Sequence, residues 1–138
     1  MPLVAQEIIY ENGNYNKVDT ANGRSQSYAY QTITDMKNFK QTIASTTPTL
    51  VDFYATWCGP CRTMHPILDR LAETLGSRVT ILRYDIDDPQ NAELVAEHSV
   101  RSVPTLVLYR AGRVAWRGSG VVSGDHLADI IARIEKER

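Results

Sequence analysis

Residues 57–61 read WCGPC, and Cys58 and Cys61 are the only cysteines in the chain. Two thiols three residues apart admit three kinds of chemistry: half of a zinc site, a structural disulfide, or a redox pair. A closed zinc site takes four ligands, and only His65, His98, His126 and carboxylates are available to join the two sulfurs. His65 follows Cys61 by four residues on the same helical stretch, so a partial site is conceivable. A histidine there is more often a partly exposed surface residue, and no metal is expected. His98 and His126 fall at a helix end and in a first helical turn, and both read as structural. A structural bridge across so small a loop adds little stability.

Position favours the redox pair. LVDFYA, residues 50–55, is a short, continuous apolar run of the kind that forms a buried strand. The cysteines follow it directly. Beyond them Met64, Ile67, Leu68, Leu71 and Leu75 recur at helical spacing, and Gly76 closes the helix. Cys58 therefore falls where a strand ends and a helix begins, near unpaired N–H groups and the positive end of the helix dipole. Both favour thiolate, the nucleophile of disulfide exchange. Cys61 lies one helical turn on, within reach of a bond that opens and closes with little backbone movement. Gly59 leaves the approach uncovered, and Pro60 suits a first helical turn, where no N–H is needed.

Two further features carry chemistry. Asp52 interrupts LVDFYA, and a carboxylate buried in an apolar strand must find partners or hold its proton more tightly. Near a dithiol it could accept the proton of the second thiol; the bland alternative is a strand residue facing solvent or an edge. SVPT, residues 102–105, is either an ordinary strand start or a loop built on a cis-proline at Pro104.

The elements that must position these groups follow from periodicity. Residues 1–27 are rich in Asn, Gly, Gln and Ser; they form a loosely held arm or, at IIYENGNYNKV, a short hairpin around Asn12-Gly13. YAYQTI, from Tyr28, alternates as a strand does. Thr34 can cap a helix carrying Met36, Phe39 and Ile43. VTILRYDI is the next strand, and Asp88-Pro89 starts a helix with Ala92, Leu94 and Val95. TLVLYR and RVAWRG form a hairpin around Ala111-Gly112. Ser123 caps a last helix with Leu127, Ile130, Ile131 and Ile134 on one face. The predicted class is α/β, a central mixed sheet with helices on both faces, its middle strand–helix–strand unit parallel and its last hairpin antiparallel. The expected division is an N-terminal extension, 1–27, and one domain, 28–138.

Composition excludes other classes. At 138 residues, with 43% hydrophobic and 22% charged residues, the chain fits one globular domain. A net charge of -1 gives no footing for nucleic acid or a membrane surface. No apolar run is long enough to span a bilayer, so no membrane insertion is expected. PLVA, residues 2–5, is too short for the core of a signal peptide. The cytoplasm is the expected compartment, and an exported protein whose leader has been removed is the alternative.

VDFYATWCGPCRTMHPIL resembles the active-site segment of thioredoxins over its whole length, including the buried aspartate and the helix proline, Pro66. SVPT is similar to the family's cis-proline loop, and the hairpin with Gly112 and then Gly120 before the last helix also fits. The resemblance covers roughly residues 28–138, with the family's first strand supplied from Tyr28. It implies the thioredoxin fold and a protein-disulfide reductase in which Cys58 attacks, Cys61 resolves and Asp52 accepts a proton. It also implies a groove for the substrate chain formed by Trp57, Gly59, Pro60, Val103, Pro104 and Gly120. The implied partners are proteins with disulfides and a thioredoxin reductase drawing on NADPH, or a membrane electron donor for an exported form. The chain itself would bind no cofactor and act as a monomer. It departs from the family in three places. Arg83 stands where many thioredoxins have a lysine near the aspartate, and arginine keeps its charge and is harder to bury. Ser102 precedes Val103 where glycine is frequent, and Tyr54 replaces a tryptophan or phenylalanine. An oxidase or isomerase of the same fold, or a docking module with incidental redox activity, are the alternatives. Oxidants of this fold carry a histidine between the cysteines, whereas Gly-Pro suits a reductant near about -270 mV rather than about -120 mV.

Overall fold

The computed structural model describes the backbone of 8–11, 14–19 and 24–26, and residues 36–137. Its strands are β1 (Ile8–Glu11), β2 (Asn14–Asp19), β3 (Arg24–Gln26), β4 (Thr49–Tyr54), β5 (Thr80–Asp85), β6 (Thr105–Arg110) and β7 (Arg113–Ser119). The helices are α1 (Met36–Ile43), α2 (Gly59–Leu75), α3 (Ala92–Glu97) and α4 (Gly124–Glu135). The strands form one sheet in the order β3-β2-β1-β5-β4-β6-β7. β4 and β5 pair in parallel across the α2 connection, and β6 runs antiparallel to both β4 and β7. The expected parallel unit and terminal hairpin are both present.

Every residue of β4 is buried, because helices cover both faces of the sheet. Strand alternation sends Leu50 to one side and Val51 and Phe53 to the other. On the first side Leu50, Ile81, Leu106 and Leu108 pack against Met64, Leu68 and Leu71 of α2 and Leu127 and Ile131 of α4. On the second, Val51, Phe53, Leu82, Tyr84 and Val107 pack against Phe39 and Ile43 of α1 and Leu94 of α3.

Local chemistry sets the ends of the elements. Gly76, at φ 55°, closes α2, and its N–H donates to Ala72 O. Ser123 caps α4, its hydroxyl accepting from His126 N at 3.1 Å. Ala111 and Gly112 both have positive φ, 52° and 80°, as the tight β6–β7 turn requires. The Asp88-Pro89 cap differs from expectation. Asp88 Oδ1 accepts from Gln90 N at 2.9 Å, but the turn it opens, Pro89–Asn91, is a 3₁₀ turn that α3 continues.

Within residues 1–27 the described stretches are strands. β1 and β2 pair antiparallel, Ile8 opposite Lys17, and β1 also pairs parallel with β5, Tyr10 opposite Leu82. The edge of β5 presents unpaired N–H and C=O groups, and β1 satisfies them. The strand expected at Tyr28, the Thr34 cap and the Asn12-Gly13 turn lie outside the described residues.

Candidate active site

β4 ends at Tyr54, and four residues later Cys58 is the N-cap of α2 with extended backbone, φ -90° and ψ 116°. Its sulfur takes the capping role usually filled by an oxygen, accepting from Cys61 N at 3.1 Å. Pro60 stands in the first turn, where its missing N–H costs nothing. Cys58 and Cys61 are joined as a disulfide with their Cα atoms 5.3 Å apart. Both are buried among Tyr54 and Ala55, with Val103 packed alongside. Gly59 and Pro60 are exposed. A Cβ at Gly59 would meet nothing within 4 Å, so this glycine relieves no clash and simply leaves the dithiol uncovered.

The Val103–Pro104 peptide bond is cis, which decides between the two readings of SVPT. The loop brings Val103 O to 3.6 Å from Cys58 Sγ. Thr105 Oγ1 donates to Ser102 O at 2.6 Å, and Gly120 N donates to Pro104 O at 3.0 Å. Gly120 sits at φ 81°, a conformation that favours glycine. Trp57 is 66% exposed beside the disulfide, yet its indole is tethered: Nε1 donates to Asp87 Oδ2 at 2.8 Å. The fold thus gathers Trp57, Cys58, Gly59, Pro60 and Cys61 at the head of α2, with Val103 and Pro104 opposite and Gly120 bonded behind them.

Asp52 lies in the strand below. It is 0% exposed, and its register partner on β5 is Arg83. The guanidinium is buried as well, which the bulk and fixed charge of arginine argue against. Its partners make this possible. Arg83 Nε donates to Asp52 Oδ2 at 3.0 Å, Arg83 Nη1 bonds His65 Nδ1, and Arg83 Cζ lies 4.3 Å from the centre of the Tyr54 ring. His65, expected as a surface residue, is half-exposed and also faces Asp69 Oδ2 at 3.5 Å. Asp52 Oδ1 has no hydrogen-bond partner among the described residues. Burial pushes the Asp52 carboxyl above its usual range, opposed by the charge and hydrogen bond of Arg83 and more weakly by His65. The solvent alternative for Asp52 is therefore excluded. Tyr54, Ala55, Thr56, Cys61, Arg62, His65 and Arg83 line a surface depression of about 230 Å³, so Cys61 and Arg83, the partner of Asp52, share one opening.

His98 is buried: Nδ1 bonds Leu94 O at 2.8 Å and Nε2 bonds the Tyr109 hydroxyl at 2.6 Å. His126 is exposed on α4 beside Trp116, with ring centroids 6.4 Å apart. Among the described residues no three His, Cys, Asp or Glu side chains gather where they could hold a metal ion, and no helix is long and apolar enough to cross a membrane. Asp87 escaped the sequence reading: it holds Trp57 from 30 positions away, and no local signal marks it. The bond from His65 to Arg83 is also unforeseen, although the spacing of His65 four residues from Cys61 on the same helix draws notice.

Residues 30–133 match the family model described as Thioredoxin. A thioredoxin from Alicyclobacillus acidocaldarius is 44% identical over 85 residues, covering 62% of this chain and 78% of its own. A bifunctional thioredoxin reductase/thioredoxin from Mycobacterium leprae is 30% identical over 141 residues, covering 94% of this chain and 30% of that longer protein. The solved structure of a mutant thioredoxin from Halobacterium salinarum superposes with a TM-score of 0.64 at 31% identity, covering 74% of this chain and 87% of the other. With the fold, the disulfide at the strand–helix junction and these likenesses in agreement, the chain belongs to the thioredoxin family and is a thiol-disulfide oxidoreductase.

Proposed function

We propose that the chain reduces protein disulfides through Cys58 as attacking thiolate and Cys61 as resolving thiol, with Asp52 as the acceptor of the Cys61 proton. In the reduced protein, Cys58 attacks one sulfur of a substrate disulfide. A mixed disulfide forms and the first substrate thiolate leaves. Cys61 then gives up its proton and attacks Cys58 Sγ, releasing the second substrate thiolate and closing the Cys58–Cys61 bond. Two electrons have passed to the substrate. The observation that carries this reading is Cys58 as N-cap: its sulfur already accepts an N–H bond at the positive end of α2, which stabilises a negative charge there.

Trp57, Gly59, Pro60, Val103, Pro104 and Gly120 form the surface that receives the substrate chain, a reading supported by Val103 O lying 3.6 Å from Cys58 Sγ. Electrons return from a thioredoxin reductase and NADPH. The mycobacterial relative, whose name joins a thioredoxin reductase to a thioredoxin, supports that pairing. A dithiol kept reduced in this way suits the cytoplasm.

Insulin reduction in dithiothreitol tests the reading. The protein should accelerate precipitation of the insulin B chain well above the uncatalysed rate, whereas a docking module would leave the rate at background.

A further inference from the structure

Arg83 and His65 together impose a constraint on each other. A guanidinium has only donors, so in the Arg83 Nη1–His65 Nδ1 bond the ring nitrogen must be the acceptor. The imidazole is then neutral with its proton on Nε2, the nitrogen that faces Asp69 Oδ2.

The surroundings show what that bond reaches. Asp69 faces His65 from its own helix and Arg83 from β5. Behind the guanidinium stand Asp52 and the Tyr54 ring, both on β4, and Arg62 lines the same depression as His65 and Cys61. The bond to His65 is one of the contacts that keep the guanidinium aimed inward.

We propose that His65 is a positioning residue for disulfide reduction: its Nδ1 holds the Arg83 guanidinium against Asp52. With the guanidinium displaced, the buried Asp52 loses its counter-charge and keeps its own proton. A protonated Asp52 cannot take the proton of Cys61. The inference rests on the reading of Asp52 as that proton acceptor.

Single-turnover reduction of insulin by the pre-reduced protein, followed by tryptophan fluorescence, tests it without a second reductant. Wild type, His65→Ala, His65→Asn and Asp52→Ala are compared. Asn places an amide oxygen near the position of Nδ1 and cannot be protonated. At pH 7.5 His65→Ala should be slower by about threefold or more, and His65→Asn should stay within about twofold of wild type. The proposal is overturned if His65→Ala matches wild type or if Asn fails to restore the rate. Wild type that does not reduce insulin overturns the reductase reading itself. Asp52→Ala at the wild-type rate overturns the proton-acceptor role and this inference with it. A slow Asp52→Ala beside an unaffected His65→Ala overturns the inference alone.

Discussion

On the face of the sheet covered by α2 and α4, Asp52 meets Arg83 with one carboxylate oxygen left without a hydrogen bond among the described residues. On the face covered by α1 and α3, His98 meets Tyr109 with both ring nitrogens bonded, amid the rings of Phe39 and Phe53. The two pairs are buried to a similar degree but built to different ends. His98 and Tyr109 are a neutral pair whose hydrogen bonds are made, and such pairs fix a core. Asp52 and Arg83 form a charged pair in which one Asp52 oxygen has no hydrogen bond among the described residues, and Arg83 lines the depression that Cys61 also lines. A buried carboxylate so placed is weak support for stability and good support for proton transfer. One face of this sheet serves the chemistry, and the other holds the strands that present it.

The largest expected effect lies on the reactive face: Cys58→Ser should reduce insulin turnover to background, because no thiolate remains at the head of α2. Residual turnover carried by Cys61 would break the division of roles between the two sulfurs. Next is Asp52→Ala, which should slow reduction at neutral pH by about tenfold to a hundredfold, the low end of what a positioned proton acceptor contributes. Wild-type rates from about pH 6 to 9 would place Asp52 with the structural pairs instead. On the opposite face, Tyr109→Phe strips a buried ring nitrogen of its partner and should cost about 1–3 kcal/mol in urea unfolding. Its insulin reduction should stay within about twofold of wild type; a larger loss would mean that the two faces are coupled.

The smallest effect distinguishes the pairs by sign. Folded Asp52 holds its proton to higher pH than the unfolded chain, so its contribution to stability declines as pH rises above 3.8 toward the folded value. Burial lowers the His98 pKa from 6.5, so the unfolded chain binds the extra proton and the contribution of His98 declines as pH falls below that value. Subtracting the Asp52→Asn stability curve from wild type, and likewise that of His98→Gln, should give slopes of opposite sign. Slopes of the same sign would contradict the contrast.

The parts of this arrangement that depend on neighbours in sequence were legible before the structure. WCGPC at a strand–helix junction, the unbroken apolar run of β4, the helical spacing of Met64, Leu68 and Leu71 and the Ser123 cap each rest on contacts within a few residues. Contacts set by register were not. Arginine at position 83 argues against burial until β4 and β5 align it with Asp52 and bring in His65 and Tyr54, and alignment between parallel strands has no local signature. The pairing of β1 with β5 is hidden for the same reason, since a polar, Asn-rich stretch reads as an arm until an open strand edge is beside it. Pro104 belongs to a third kind: a cis and a trans proline have the same spelling, and only the backbone separates them.

The most direct test of the central claim, that Cys58 is the attacking thiolate and Cys61 the resolving thiol, is alkylation of the reduced protein. A limiting amount of iodoacetamide near neutral pH, with the modified site located by mass spectrometry, reports which sulfur is both ionised and reachable. Capping by the α2 N–H groups and the exposed approach over Gly59 predict that Cys58 is labelled first. Labelling of Cys61 ahead of Cys58 in the folded protein would contradict the account.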